Sequence, residues 1–138
     1  MMRGYDFIWR LARPLLPLML AWRARSGKED AARLTERFGR YDHRDNLPDD
    51  PLWIHAVSVG ETVAGIALAE AIRKTGETAP ILMTTNTVTA AARVAALPAS
   101  LGVTHLYQPL DHPDMVAAFL HRIRPVSYTH LRAHETQR

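Results

Sequence analysis

From Pro51 onward, short apolar runs alternate with helical patterns, and this alternation limits the chain to few folds. The apolar runs are residues 52–57, 80–84 and 103–107. The helical patterns that follow them, in the same order, are residues 62–74, 88–97 and 113–123. When a helix separates two strands, the chain returns to the same end of the sheet, so the strands pair in parallel. The sequence therefore predicts an α/β fold with a Rossmann-like parallel sheet.

Polar residues follow each predicted strand. The three loops carry Ser58, Gly60 and Glu61; Thr84, Thr85, Asn86, Thr87 and Thr89; and Gln108, Asp111 and His112. Open α/β sheets bind ligands at the carboxyl ends of their strands, and the helix N-termini there favour phosphates and other anions. We therefore expect one polar crevice at this edge of the predicted sheet.

Two interpretations are open for the residues of these loops. Ser58 and Glu61 match the S-x-x-E capping box, and the pattern alone favours that structural role over catalysis by Glu61. A general base must reach the proton that it removes, which a single glutamate in a sequence does not demonstrate. The threonines 84–89 either bind sugar hydroxyls and phosphate or end strands and cap helices. His55, which alternates within a predicted strand, is interpreted as a core histidine.

Residues 5–22 form the most hydrophobic part of the chain, but charged residues and prolines interrupt them. Arg10, Arg13, Pro14 and Pro17 lie within this stretch, whereas a membrane-spanning helix needs about 20 mostly apolar residues. A signal peptide would need a clean apolar core and a cleavage site, which the stretch lacks. Interface-seeking tryptophans flank it. We predict a membrane-surface anchor helix over residues 1–25; a helix packed on the domain is the alternative.

Residues 26–50 are predicted to form a basic helix, ending at Gly39, and a linker. The net charge is +3, and arginines crowd the first third of the chain: Arg3, Arg10, Arg13, Arg23, Arg25, Arg33, Arg37, Arg40 and Arg44. An anionic membrane surface or an acidic ligand suits such a surface. Nucleic acid is a disfavoured partner, because no nucleic-acid-binding motif accompanies the arginines. Arg37 and Arg40 either meet acceptor phosphates or pair with nearby glutamates on a solvated face.

Several classes of site are excluded or disfavoured by the composition. The chain has no cysteine, which excludes thiol nucleophiles and disulfides. No histidine or acid spacing typical of a metal site occurs, and neither a G-x-G-x-x-G, a Walker nor a G-x-S-x-G motif is present. We therefore expect neither a metal ion nor a cofactor.

Four stretches resemble one protein family, and they do so in family order. Residues 53–61, WIHAVSVGE, resemble the W-[IV]-H-x-[AV]-S-[VI]-G-E motif of the 3-deoxy-D-manno-octulosonic acid (Kdo) transferases of Gram-negative bacteria. The other three are RFGRY at 37–41, MTTNTVTAAARV at 83–94 and HLYQPLDHP at 105–113. The resemblance covers residues 5–125. It departs at Ala90, where many members have glycine.

The resemblance implies the N-terminal, acceptor-binding half of an inverting GT-B glycosyltransferase. Such an enzyme moves Kdo from CMP-Kdo to the lipid A precursor, lipid IVA, at the cytoplasmic face of the inner membrane. Glu61 would be the catalytic base, and the donor nucleotide would be held mainly by a C-terminal domain. The implied acceptor-binding residues are Ser58, Gly60, Arg37, Arg40, Thr84, Thr85 and Thr87. A non-catalytic membrane-associated module and a different GT-B sugar transferase stay open as alternatives.

The predicted domain organisation places the incomplete Rossmann-like acceptor domain at residues 51–125. The remaining residues, 126–138, read VSYTHLRAHETQR and resemble nothing in the family. They are predicted to be a junction artefact, disordered or weakly helical. Because the donor domain is missing from the chain as written, we expect this chain alone not to transfer Kdo.

Overall fold

Four parallel strands form the sheet in the computed structural model, which describes residues 2–42 and 46–130. The strand order is β3-β2-β1-β4. The strands are β1 (Leu52–Ala56), β2 (Ile81–Thr85), β3 (Val103–Tyr107) and β4 (Ser127–His130). The α-helices are α1 (Met2–Ala12), α2 (Leu16–Arg25), α3 (Val59–Lys74), α4 (Val88–Ala95) and α5 (Pro113–Ile123). The predicted α/β fold with a parallel sheet is confirmed, while Arg44 lies outside the described residues.

The fourth strand corrects the prediction for the end of the chain. Ser127–His130 pairs in parallel with β1, in the register Leu52↔Ser127 to His55↔His130. The expectation of disorder or weak helix is therefore wrong for these four residues. Strand formation here depends on a partner far away in the sequence, since β1 offers an open edge and threonine and tyrosine suit a pleated surface. Residues 131–138 lie outside the described part of the chain.

The core lies on both faces of the sheet, because parallel strands covered by helices on two sides bury alternate side chains in opposite directions. All five residues of β2 are buried. On one face, α3 and α4 pack through Ile54, Ala69, Ile81, Met83 and Val94. On the other face, α5 and the segment before β1 contribute to a second cluster. Its members are Tyr41, Leu47, Leu82, Leu106, Phe119 and Ile123.

A 3₁₀ helix, Ala31–Phe38, covers the outer edge of β3. Arg33 donates from Nη2 to the carbonyl oxygen of His105 at 3.0 Å, and the backbone N–H of Tyr107 donates to the carboxylate of Glu36 at 2.9 Å. These side chains satisfy edge groups that a further strand would otherwise pair. The helix ends at Gly39, as predicted, where φ is +72° and an added Cβ would lie 2.8 Å from the carbonyl oxygen of Met115.

The N-terminal stretch forms two helices instead of one, with the break at residues 13–15 near Pro14 and Pro17. Leu16 and Leu20 of α2 are buried, so this part packs on the domain. The opposite surface leaves large apolar side chains exposed, namely Phe7, Ile8, Leu11, Leu15, Leu18, Met19 and Trp22. Among residues 2–42 and 46–130, no helix is long and apolar enough to cross a bilayer.

Candidate functional site

The carboxyl ends of β1, β2 and β3 lie side by side, because these three strands are neighbours in one parallel sheet. The loops that follow them begin at Val57, Asn86 and Gln108. Each loop leads directly into the first turn of a helix, α3, α4 or α5. The predicted polar edge is therefore present, and the helix N-termini along it favour anions.

Glu61 lies in the first turn of α3, and its carboxylate is held by backbone N–H groups. The Oε2 atom accepts hydrogen bonds from Val57 N at 2.7 Å and from Ser58 N at 3.4 Å. In return, Glu61 N donates to the hydroxyl of Ser58 at 3.2 Å. The capping box that the S-x-x-E pattern predicts is thus confirmed. The role of Glu61 as a general base stays a prediction.

Gly60 lies in the first turn of α3 between these two capping residues. A Cβ added there would contact only the hydroxyl of Ser58, at 3.9 Å. The backbone therefore does not require glycine, and the surface beside Ser58 and Glu61 is open. The predicted contacts of Ser58 and Gly60 with an acceptor stay predictions.

Thr84 and Thr85 both lie in β2, which confirms Thr84 as part of the strand predicted over residues 80–84 and corrects the loop position predicted for Thr85. Both are fully buried. The Thr84 hydroxyl accepts from Trp53 Nε1 at 2.9 Å and contacts His55 Nδ1 at 2.8 Å. Their predicted contact with an acceptor stays a prediction, and it would require these side chains to become exposed.

Thr87 differs from the two strand threonines because its side chain is exposed. It is the N-cap residue of α4, and its hydroxyl accepts a hydrogen bond from Ala90 N at 3.1 Å. The capping interpretation of this threonine is therefore confirmed. Thr87 still faces solvent at the strand-end edge, where its predicted acceptor contact is sterically open.

Arg37 reaches the strand-end edge, but its guanidinium is directed at the protein. Its side chain is only 12% exposed. Nη1 donates to the carbonyl oxygen of Gln108 and to Asn86 Oδ1, the latter at 3.3 Å, and Nε lies 3.7 Å from a carboxylate oxygen of Glu29. Burial lowers the pKa of Arg37, against the opposing attraction of Glu29. The predicted pairing with a glutamate therefore occurs, but between a largely buried arginine and a buried glutamate instead of on a solvated face.

Arg40 is exposed and lies elsewhere. It lines a surface hollow of about 390 Å³ together with Gly39, Tyr41, Asp42 and Arg122. Arg122 belongs to the last turn of α5, whereas the strand-end edge lies at the first turn of that helix. The structure thus separates Arg40 from the predicted site residues at the strand ends.

Two buried histidines contact the threonines at the end of β2. His55 contacts the Thr84 hydroxyl, which confirms its interpretation as a core histidine. His105 begins the HLYQPLDHP stretch, but the sequence predicted no role for it. Its Nε2 contacts Thr85 Oγ1 at 2.8 Å and its Nδ1 contacts Arg33 Nη1 at 3.0 Å. Because arginine only donates, Nδ1 accepts and Nε2 carries the proton.

No group of three or more histidine, cysteine, aspartate or glutamate side chains is arranged to hold a metal ion within the part of the chain that the structure describes. The strand-end edge offers the carboxylates of Glu61, Asp111 and Asp114, the imidazole of His112, several hydroxyls, and backbone N–H groups at the helix starts.

Comparison with known proteins identifies the family. A family model described as 3-deoxy-D-manno-octulosonic-acid transferase (kdotransferase) matches residues 32–133, and this match continues past residue 125, the predicted end of the resemblance. A protein of Arabidopsis thaliana, named probable 3-deoxy-D-manno-octulosonic acid transferase, mitochondrial, is 36% identical over 126 residues, covering 86% of this chain. A 3-deoxy-D-manno-octulosonic acid transferase of Haemophilus influenzae is 30% identical over 121 residues, covering 88% of this chain.

The chain spans only 28% of the length of each of these two relatives. No solved structure is significantly similar to it. The family match nevertheless includes all four strands and every predicted site residue. The chain belongs to the family of 3-deoxy-D-manno-octulosonic acid (Kdo) transferases.

Proposed function

We propose that this chain is the acceptor-binding part of a glycosyltransferase that moves Kdo from CMP-Kdo to the lipid A precursor, lipid IVA, in lipopolysaccharide synthesis. Membership of the family and the names of the relatives support Kdo transfer. One structural observation carries the proposal for the chemistry. It is the Glu61 carboxylate, which backbone N–H groups hold at the strand-end edge and the start of α3.

In the proposed reaction, Glu61 acts as the general base. Its carboxylate takes the proton from a sugar hydroxyl of the acceptor while that hydroxyl oxygen attacks the anomeric carbon of Kdo. The bond from that carbon to CMP breaks, CMP leaves with the electron pair, and attack from the opposite side inverts the configuration. The positive end of α3 favours the ionised carboxylate, which is the form that accepts a proton. Ser58, Gly60 and Thr87 lie along the same edge, where the acceptor would bind.

We further propose that α1 and α2 lie on the anionic cytoplasmic surface of the inner membrane. Their exposed apolar side chains include Leu18, which is 68% exposed, and Trp22, which is 64% exposed. Arg10 and Arg13 are also exposed and suit lipid phosphates. Helix α1 is attached to the loop after β3, because the Tyr5 hydroxyl donates to the carbonyl oxygen of Asp111 at 3.3 Å. A lipid acceptor in that surface would therefore lie near the strand-end edge.

The test of the base uses Glu61→Gln in a full-length protein that contains this segment. Glutamine also fits the capping box, so the variant keeps the fold while losing the ability to accept a proton. We expect transfer of Kdo from CMP-Kdo to lipid IVA to fall to background with an unchanged melting temperature. The matched control is Glu70→Gln, the same change at an exposed position of the same helix, which should transfer normally. Full activity of Glu61→Gln would disprove the base assignment.

The completed capping box favours one alternative, a non-catalytic membrane-associated module in which Ser58 and Glu61 only stabilise α3. That alternative predicts binding to anionic vesicles by the full-length protein without any sugar transfer. A different GT-B sugar transferase predicts transfer from another nucleotide sugar but not from CMP-Kdo. Assaying the wild-type protein with CMP-Kdo and with other nucleotide sugars separates these outcomes.

A further inference from the structure

The guanidinium of Arg37 links two of the strand-end loops. Its Nη1 donates to Asn86 Oδ1 in the loop after β2 and to the carbonyl oxygen of Gln108 in the loop after β3. The backbone of Arg37 adds a further link, since Leu110 N donates to its carbonyl oxygen at 2.7 Å. One residue of the 3₁₀ helix therefore holds parts of both loops.

The burial of this side chain argues for a role inside the protein. The side chain is 12% exposed, so its guanidinium has lost much of its hydration, and Nη1 regains hydrogen bonds to two oxygen acceptors of the protein. Glu29, which is itself buried, lies on the other side of the group and provides the counter-charge. A ligand phosphate that approached Nη1 or Nε would have to compete with these contacts.

We propose that Arg37 is a positioning residue, which sets the spacing between the loops after β2 and β3 and so aligns the starts of α4 and α5 beside Glu61. It acts through Asn86 and Gln108 and does not touch the acceptor. The catalytic part of this inference rests on the proposed Kdo transfer. The structural part, the ordering of the two loops, does not.

Lysine cannot replace arginine in this role. The contacts of Nη1 with the two loops and of Nε with Glu29 involve two separate nitrogens of a planar guanidinium, whereas a lysine ammonium is a single compact group. A residue that served only as a positive charge for a phosphate would tolerate the change better. Arg37→Lys therefore distinguishes the two roles while keeping the charge.

The experiment compares Arg37→Lys, Arg37→Gln, Asn86→Ala and the double variant Arg37→Gln/Asn86→Ala in the full-length protein. We expect kcat to fall by about tenfold to a hundredfold in both Arg37 variants, because a small displacement of the groups that position the substrate lowers the rate by about that factor. The KM for the acceptor should change little. The double variant should be no slower than Arg37→Gln alone, since both changes break the same link. The matched control is Arg93→Gln, on the exposed side of α4, which should behave as wild type.

Hydrogen exchange provides a measurement that does not depend on activity. In Arg37→Lys, residues 86–91 and 108–112 should exchange faster than in the wild type, with no change in the middle of α3. Unchanged exchange in both loops would overturn the proposal. A higher KM with an unchanged kcat would also overturn it, and so would additive effects of Arg37→Gln and Asn86→Ala. If Arg37→Gln does not fold, Asn86→Ala alone must still lower kcat and loosen the loop after β2.

The two proposals fail in different ways. If the wild-type protein transfers no Kdo, the proposed function is wrong, and the exchange measurement still decides whether Arg37 orders the loops. If the wild type is active and Arg37→Lys is as active, with both loops still protected, only the positioning role is wrong.

Discussion

Ser58 and Glu61 cap the first turn of α3 reciprocally, each through its side chain and its backbone. The Ser58 hydroxyl accepts from Glu61 N at 3.2 Å, and the Glu61 carboxylate accepts from Ser58 N at 3.4 Å. The residue proposed as the catalytic base is therefore also part of the local structure of the helix. Its two roles are separable because a cap needs only a hydrogen-bond acceptor, whereas a base needs a proton-accepting carboxylate.

The first prediction concerns the stability of this cap. Ser58→Ala removes the hydroxyl acceptor and should lower the free energy of unfolding by about 1 kcal/mol. Glu61→Ala should also destabilise, because the N–H groups of Val57 and Ser58 lose their acceptor. Glu61→Gln should lower the free energy of unfolding clearly less than Glu61→Ala does. Urea denaturation measures the three values, and equal losses for Glu61→Gln and Glu61→Ala would contradict the capping role.

The second prediction concerns the buried Glu36, which is 0% exposed. Its two carboxylate oxygens accept from Arg33 at 2.9 and 2.8 Å, and one of them also accepts from Tyr107 N. Glu36→Ala removes the counter-charge of the partly buried Arg33 guanidinium and the acceptor of Tyr107 N, so we expect the free energy of unfolding to fall by about 3–5 kcal/mol. Glu70→Ala, at an exposed position, is the control and should change the free energy of unfolding little. Similar denaturation midpoints for the two variants would show that Glu36 does not hold the 3₁₀ helix on β3.

The third prediction concerns alkaline pH and Tyr41. Burial raises the pKa of Tyr41, with nearby Glu36 adding to the effect, and burial also raises the pKa of Tyr107. The folded chain therefore keeps these protons at a pH where the unfolded chain releases them, near pH 10. The contribution of these protonated tyrosines to the free energy of unfolding is fully present below about pH 10 and is lost as the pH rises above it.

The variant Tyr41→Phe tests this directly, because the Tyr41 hydroxyl is buried with no hydrogen-bond partner among the described residues. At about pH 8 its free energy of unfolding should be unchanged or higher by about 1 kcal/mol. Between about pH 10 and pH 12 it should lose less stability than the wild type does. Urea denaturation across this range is the measurement, and identical pH slopes for the two proteins would count against the prediction.

The fourth prediction concerns the proposed membrane face. Leu18→Ser removes one exposed apolar side chain of α2, and burying a leucine in an apolar phase is worth about 1.5–3 kcal/mol. We therefore expect binding of the full-length protein to anionic vesicles to weaken by about tenfold or more. Leu120→Ser, on the exposed side of α5, is the control and should bind as wild type. Flotation with vesicles gives the comparison, and equal binding by both variants would remove the support for α2 as a docking element.

Local patterns in the sequence predicted the elements that depend on neighbouring residues. The strands β1, β2 and β3, the helices after them and the stop at Gly39 all follow from periodicity and end signals a few residues apart. The capping box followed from two residues three positions apart. The ordered motifs also predicted the family, which the family model confirms.

Contacts between distant parts of the chain decided the rest. Strand β4 forms because β1 offers it a parallel partner, although its own sequence carries no strand pattern. Thr85 is buried with its hydroxyl against His105, and Arg37 is largely buried, with oxygen acceptors from the loops after β2 and β3. Arg37 and Arg40 look alike in the sequence, but one reaches the strand ends and the other lies along α5.

The sequence by itself therefore determined the alternation of strands and helices, the cap at Glu61 and the family, because short-range periodicity and motifs encode all three. Only the tertiary structure decided which polar side chains are buried and which face the strand-end edge. The physical reason is that burial of a polar group depends on a partner that compensates its lost hydration, and in this chain the partners lie tens of residues away.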